Sequence, residues 1–439
     1  MAQGLQSYVA AWERAGRLRQ HGEPRAITLA REDAWRRFLA LGFPTTREEE
    51  WRFTNVAPIA EGGFSPSVAD SPHVDVAPFR LPGGSAAELV YVNGRYAPAL
   101  SRLGTLPSGA QVESLAYSIA TRGMELEPHL AHVDRFEQHP FVALNTAFLD
   151  DGACIQVPAG AIVPRPIHVV FIAQDGGPSM MAHPRVLIVL GANSQASIVE
   201  TYAGPAGVRY FTNTVAEIVL GENASLDHYK LQYESDEAYH VGAMHVRAER
   251  SASCTSHSIS IGGALVRNDV VAVLDGEGVE CTLNGLYVAD AHRLVDHHTT
   301  IDHAQPHCGS REMYKGILAD HARGVFNGKI IVRPDAQKTD AKQTNRALLL
   351  SEDALINTKP QLEIFANDVK CTHGAAVGQL DDEALFYLRS RGLSDPEARR
   401  LLIHAFAAEV LNRLPLDAVG SAVEDRLRQQ LARALPAAA

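Results

Sequence analysis

Between residues 185 and 373 short apolar runs alternate with turns rich in Gly, Asn and Ser, and the pattern returns again and again. An apolar pair leads into a polar turn, and small or polar residues lead into the next run. It reads Val189-Leu190-Gly191-Ala192-Asn193-Ser194, then Val219-Leu220-Gly221-Glu222-Asn223-Ala224-Ser225. A degenerate copy covers 247–253, a clearer one 273–278, and looser ones 318–324 and 350–354. Counted from positions 190, 220, 248, 274, 318 and 350, the steps are 30, 28, 26, 44 and 32 residues. A period of this length without helical patterning predicts a solenoid with strand-built coils. The 44-residue step is expected to hold an insertion or a degenerate copy. Each coil is expected to carry two strands. In 226–233, Tyr229, Leu231 and Tyr233 alternate with His228, Lys230 and Gln232, whereas 212–220 and 283–289 are more uniformly apolar or small, as strands covered on both faces are.

The flanks read differently. Residues 1 to about 55 read as helical, with Trp35, Phe38 and Leu39 at helical spacing before a stop at Gly42-Phe43-Pro44. Thr45-Thr46-Arg47-Glu48 then gives an N-terminal capping signal. Prolines mark 56–84 as an irregular connection, 89–92 predicts a strand entering a tight turn at Asn93-Gly94, and a helix is expected near 113–121. The strand pattern runs from Gly152 to about Val377, which divides the chain into an N-terminal helical and mixed region (1–150), a β-solenoid core (151–377) and a C-terminal helical domain (378–439). In the last of these, Asp381-Asp382-Glu383 opens a helix that stops at Gly392, and Ser394-Asp395-Pro396-Glu397 has capping-box spacing. That box launches a stripe of Leu402, Phe406, Val410 and Leu414, and Val423, Leu427 and Leu431 mark a final helix. These helices are expected to cap the open end of the solenoid, a role compatible with docking a partner as well.

Composition narrows the function. The 439 residues are 46% hydrophobic and 21% charged, as in a soluble globular protein, and the net charge of −11 argues against nucleic acid or an anionic membrane as partner. Glu13, Arg14, Arg17 and Arg19 make the start unlike a secretory signal, and the longest apolar run, 161–173, is interrupted by Pro164, Arg165, Pro166 and His168. Five cysteines without a Cys-x-x-Cys pair fit reduced thiols in a cytoplasm.

Several stretches could carry chemistry. Gly324-Val325-Phe326-Asn327-Gly328-Lys329-Ile330 falls one residue short of a phosphate loop and lacks its Ser or Thr, so a glycine turn between strands is the better reading. In Asp296-His297-His298-Thr299-Thr300-Ile301-Asp302-His303, alternation puts His297, Thr299, Ile301 and His303 on one face. Histidines stacked inside a solenoid and hydrogen-bonded to neighbouring coils fit better than a metal site, for which four donors at recognisable spacing are missing. Cys254, Cys281 and Cys308 are 27 residues apart, close to one coil, and are expected to be buried. Cys371-Thr372-His373 puts a thiol and an imidazole on the same face of a strand in the last coil. Such a pair could share iron or a sulfur species, with a protonated imidazole lowering the thiol pKa, although on spacing alone a structural role comes first.

Residues 369–375 (Val-Lys-Cys-Thr-His-Gly-Ala) with 383–392 (Glu-Ala-Leu-Phe-Tyr-Leu-Arg-Ser-Arg-Gly) resemble the C-terminal signature of the SufD family, subunits of the SUF iron–sulfur cluster assembly machinery. Residues 43–52 resemble the family's N-terminal motif, and 336–341 and 358–364 its late coils. Ala376 departs from an expected Thr, and His373-Gly374-Ala375 differs from the His-Glu-Ala expected of the sister subunit SufB. The resemblance implies a right-handed parallel β-helix flanked by helical regions. It implies pairing with SufB through the β-helix, binding of the ATPase SufC by the C-terminal helices, and ATP hydrolysis in that partner rather than here. It assigns nascent cluster or iron binding at the SufB–SufD interface to Cys371 and His373, with no permanently bound cofactor. The resemblance also implies a flavin association of the complex, to which the sequence assigns no residues. Self-pairing of open edges would allow a homodimer in isolation. Two rivals remain at this stage: a β-helix enzyme acting on polysaccharide, and a purely architectural dimer.

Overall fold

The computed structural model describes residues 4–18, 24–67, 74–131, 139–174 and 179–434. Part of the connection expected over 56–84, residues 68–73, lies outside the described residues. The core is a parallel β-helix of eight two-stranded coils, from Gly152–Val157 with Ile167–Ile172 to Leu355–Ile364 with Lys370–Gly378. One strand of each coil stacks into sheet A and the other into sheet B.

The turns explain the repeat. Asn193, Asn223 and Ser251 all take positive φ (58°, 56° and 55°), a conformation that asparagine tolerates better than most residues. These turns stack as the strands do: the amide of Asn193 donates to the Glu222 carbonyl (2.8 Å) and that of Asn223 to the Arg250 carbonyl (2.9 Å). The 44-residue step holds no insertion. Leu190, Leu220, Ala248 and Leu274 are successive register partners that end strands of sheet A, and the next partners are His303, Val332 and Ile364, at steps of 29, 29 and 32 residues. Leu318, by contrast, ends a strand of sheet B. The sequence count had slipped from one turn of the coil to the opposite one.

The glycines of 324–330 sit within the strand Arg323–Val332 rather than in a turn between strands. A Cβ at Gly328 would come within 2.2 Å of Gln343 Nε2, and one at Gly324 within 2.8 Å of Ile356. These positions are bare because bulky side chains cross the interior there.

The N-terminal region closes the first coil. Ala87–Val92 extends sheet B in parallel beside Ile167–Ile172, and Gln111–Ser114 pairs antiparallel with Gly152–Val157 in sheet A. Ser114 caps the helix Leu115–Leu126 by accepting from the amide of Tyr117. The C-terminal helices do not cap the other end. Ile403, Ala407, Val410 and Leu414 of Asp395–Leu411 and its following turn, with Val423, Leu427 and Leu431 of Asp417–Ala434, pack on Tyr229, Leu231, Ile259, Leu286 and Val288 of sheet B. They cover the outer flank of that sheet, because its outward positions are apolar there.

Candidate functional site

In the strand Asp340–Leu349, Ala341, Gln343 and Asn345 are buried while Lys342 and Arg346 are exposed, so the odd-numbered positions face the interior of the coil. The register continues this series onto the last strand, with Cys371 over Ala341, His373 over Gln343 and Ala375 over Asn345. Among the described residues, no strand covers Lys370–Gly378 or Leu355–Ile364 on the far side. What would be an interior row in any earlier coil is therefore exposed here. His373 is exposed and, among the described residues, makes no hydrogen bond or ion pair; Cys371 is half-buried beside Val369, Ala341 and Leu362.

The Cys371 thiol is not activated in this chain alone. Burial pushes its pKa up, reinforced by Asp340 and only partly offset by a hydrogen bond from the Ala341 backbone. The lowering by a protonated imidazole expected from spacing is absent. Thiol and imidazole suit iron and sulfide chemically, but among the described residues no third His, Cys, Asp or Glu joins them. Two donors leave a metal or cluster open on one side, and that side faces out of the solenoid.

The histidine-rich strand Leu294–His303 splits by face. His297 and His303 point inward and are buried, and burial pushes their pKa down to about 3 and about 4. His303 contacts Ser310 (3.0 Å), whereas both His297 nitrogens lack a hydrogen-bond partner and its ring lies between Tyr287 and Tyr314. Both rings lie inside the solenoid as expected, but among the described residues neither is hydrogen-bonded to a neighbouring coil, since Ser310 belongs to the same coil as His303. His298 points outward, its Nε2 3.0 Å from Asp296 and its Nδ1 3.3 Å from Glu50. Arg267 donates to Asp296 (2.9 Å), Asp269 (2.8 Å) and the Glu50 carbonyl (2.6 Å), and its guanidinium lies 3.7 Å from the Trp51 ring centroid. Burial alone would raise Asp296, but His298 and Arg267 hold its carboxyl below the usual range. This network pins residues 50–54 to the outer face of sheet A. Sequence reading missed it because Arg267 and Asp269 carry no motif of their own.

The remaining cysteines are buried and free. Cys254 and Cys281 are register neighbours, and burial pushes Cys254 up to about 12, so neither is poised as a nucleophile. Most acidic residues of the solenoid lie in turns and loops, but Glu200, Glu217, Asp269, Asp296 and Glu312 are buried within strands and Glu234 just beyond one. Several are matched to a cation or imidazole, such as Glu217 with Arg185 (2.8 Å) and Glu200 with His228 (3.0 Å). An exposed acidic face of the kind a polysaccharide-cleaving enzyme needs is not formed by these residues.

Comparison with known proteins agrees with this architecture. The model of the SUF system FeS cluster assembly SufBD core domain matches residues 171–406, and that of the SufBD protein N-terminal region matches residues 2–169. The chain is 35% identical over 401 residues to an iron–sulfur cluster assembly SufBD family protein of Synechocystis, covering 89% of this chain and 87% of that one. It is 33% identical to the iron–sulfur cluster assembly protein SufD of Escherichia coli over 397 residues, 90% of each chain. It is 29% identical to SufD of Bacillus subtilis over 293 residues, 65% of each. With its eight parallel coils and a thiol–imidazole pair at their open end, this chain belongs to the SufBD family of iron–sulfur cluster assembly proteins.

Proposed function

We propose that this chain is a non-catalytic scaffold subunit that pairs with SufB through its last coil and offers Cys371 and His373 to iron or a nascent cluster at that boundary. The observation that carries the reading is the uncovered pair of final strands, one in each sheet, with both donors on one of them. Long unpaired edges are an aggregation hazard unless something covers them, and Val377, Leu355 and Phe365 add apolar surface (48%, 52% and 63% exposed). A paired subunit would cover that surface and supply the missing ligands; a second copy of this chain can do so when that subunit is absent. Iron and sulfide are cargo in this reading, not a resident cofactor, and no residue is assigned to flavin.

In this reading the ATPase SufC docks on the helix Asp382–Ser390, which is supported by the exposure of Phe386 and Tyr387 (74% and 56%). ATP hydrolysis belongs to that partner. Removing 394–439 would strip the cover from sheet B, so Phe386→Glu with Tyr387→Glu is the sharper test of docking. Co-purification of SufC should be lost at unchanged melting temperature, and retention would remove this surface from the account. For the site, His373→Ala should leave folding and complex formation intact while cluster assembly in the complex falls at least tenfold. Wild-type assembly by that variant would refute the site.

A further inference from the structure

Directly beneath His373 in the stack stands Gln343, and beneath Gln343 stands Glu312. Both are almost wholly buried (2% and 4% exposed). Gln343 Nε2 donates to Glu312 Oε2 at 2.7 Å, whereas Gln343 Oε1 is buried and, among the described residues, has no hydrogen-bond partner. Burial raises the Glu312 pKa to about 7, and above that pH its carboxylate accepts only, so Glu312 then fixes which end of the carboxamide faces it and leaves Oε1 as the uncommitted atom. An orphaned acceptor in such a place is costly, roughly 1–3 kcal/mol, and calls for a donor. Gly328 on the opposite wall makes the arrangement feasible, since any Cβ there would displace the carboxamide. The nearest ring N–H along the stack belongs to the residue one strand spacing above, about 4.8 Å away along the backbone.

From this geometry we infer that Gln343 is a positioning residue for His373. The ring, unpaired among the described residues, turns inward to this acceptor, so that Oε1 accepts the N–H of one imidazole nitrogen and leaves the other, unprotonated nitrogen facing out of the open end. This is the second-layer arrangement by which a ligating histidine has its tautomer and orientation set. Glu312 acts one step further down by holding the carboxamide, and Gly328 acts by leaving room for it. The inference rests on the reading of His373 as a ligand.

The test uses the full-length chain with Co²⁺ as a spectroscopic stand-in for ferrous iron, and ¹⁵N-histidine NMR in the absence of metal. His373→Ala identifies the His373 resonance and should abolish Co²⁺ binding at this end. Gln343→Leu should weaken Co²⁺ about tenfold or more and convert the His373 signal from one tautomer to a mixture. Gly328→Ala keeps every polar group yet crowds the carboxamide, and should do the same; it serves if Gln343→Leu does not fold. A merely structural role would not move the tautomer signal. Should His373→Ala abolish binding while the Gln343 and Gly328 variants keep wild-type affinity and a single tautomer, the positioning role is wrong and the ligand reading survives. If His373→Ala leaves Co²⁺ binding unchanged, both fall.

Discussion

The first and last coils of the solenoid face different surroundings. Beside the first, Ala87–Val92 continues sheet B, Gln111–Ser114 continues sheet A, and Leu115, Ile119 and Leu126 pack with Cys154 and Leu187. Tyr91 is fully buried there, stacked on Phe171 with centroids 4.9 Å apart and donating to the Gly152 carbonyl at 2.6 Å. Beside the last coil, the strand Lys370–Gly378 is exposed along almost its whole length. A chain that invests a whole N-terminal region in closing one end has the means to close an end. The other end stays bare, with the two donors on it, and this contrast is what the proposed pairing rests on.

Equivalent truncations at the two ends should therefore behave differently. Tyr91→Ala is expected to cost about 3–5 kcal/mol of stability, the range for emptying a buried aromatic site, read from denaturant unfolding. A loss below about 1 kcal/mol would mean that the first coil does not need its cover. His298→Gln removes the ion pairs of the N-terminal motif and is expected to cost about 1–3 kcal/mol near neutral pH, because it leaves Asp296 and Glu50 with one partner fewer. The pH dependence has a definite sign. Burial works against the imidazolium of His298, but Asp296 and Glu50 outweigh it and raise its pKa above the ordinary histidine value. Its contribution is then complete below that ordinary value and is lost as pH rises through the raised folded-state value. The gap in melting temperature between wild type and His298→Gln should narrow as pH is raised above neutral, and a gap that widens would contradict the ion-pair assignment. Val377→Ala should cost no more than about 0.5 kcal/mol in the isolated chain, since Val377 is exposed there, while weakening association with the paired subunit. Equal loss of stability at both ends would erase the distinction between them.

Much of this was legible in the sequence, and what was not has physical causes. The coils announce themselves through their turns, because a left-handed residue such as Asn193 or Asn223 follows seven of the eight coil strands of sheet A. The count went astray after Leu274 because the next turns of the same edge are built from Ala304–Cys308 and 333–339, with His307 and Lys338 rather than Asn at positive φ. Sheet B turns such as 319–322 resemble the motif better. The helices after residue 378 were read as helices, but where they dock depends on Tyr229, Ile259 and Leu286, which are contributed by three separate coils. Inward and outward faces of 296–303 followed from alternation, yet which side was anchored depended on Arg267 and Glu50, far away in the chain. Cys371 and His373 were found through resemblance rather than spacing. Their exposure is a property of being last in the stack, which no local pattern records.

The central claim, that the final coil is kept open for a paired subunit, is tested most directly by hydrogen exchange. Amides of 355–364 and 370–378 should be compared in the chain alone and in its complex with SufB. The account expects the edge amides of 370–378 to exchange quickly in isolation and to gain at least tenfold protection in the complex, with 87–92 protected in both. A stable complex in which 370–378 exchanges as fast as in the free chain would show that the partner docks elsewhere, and would contradict the account.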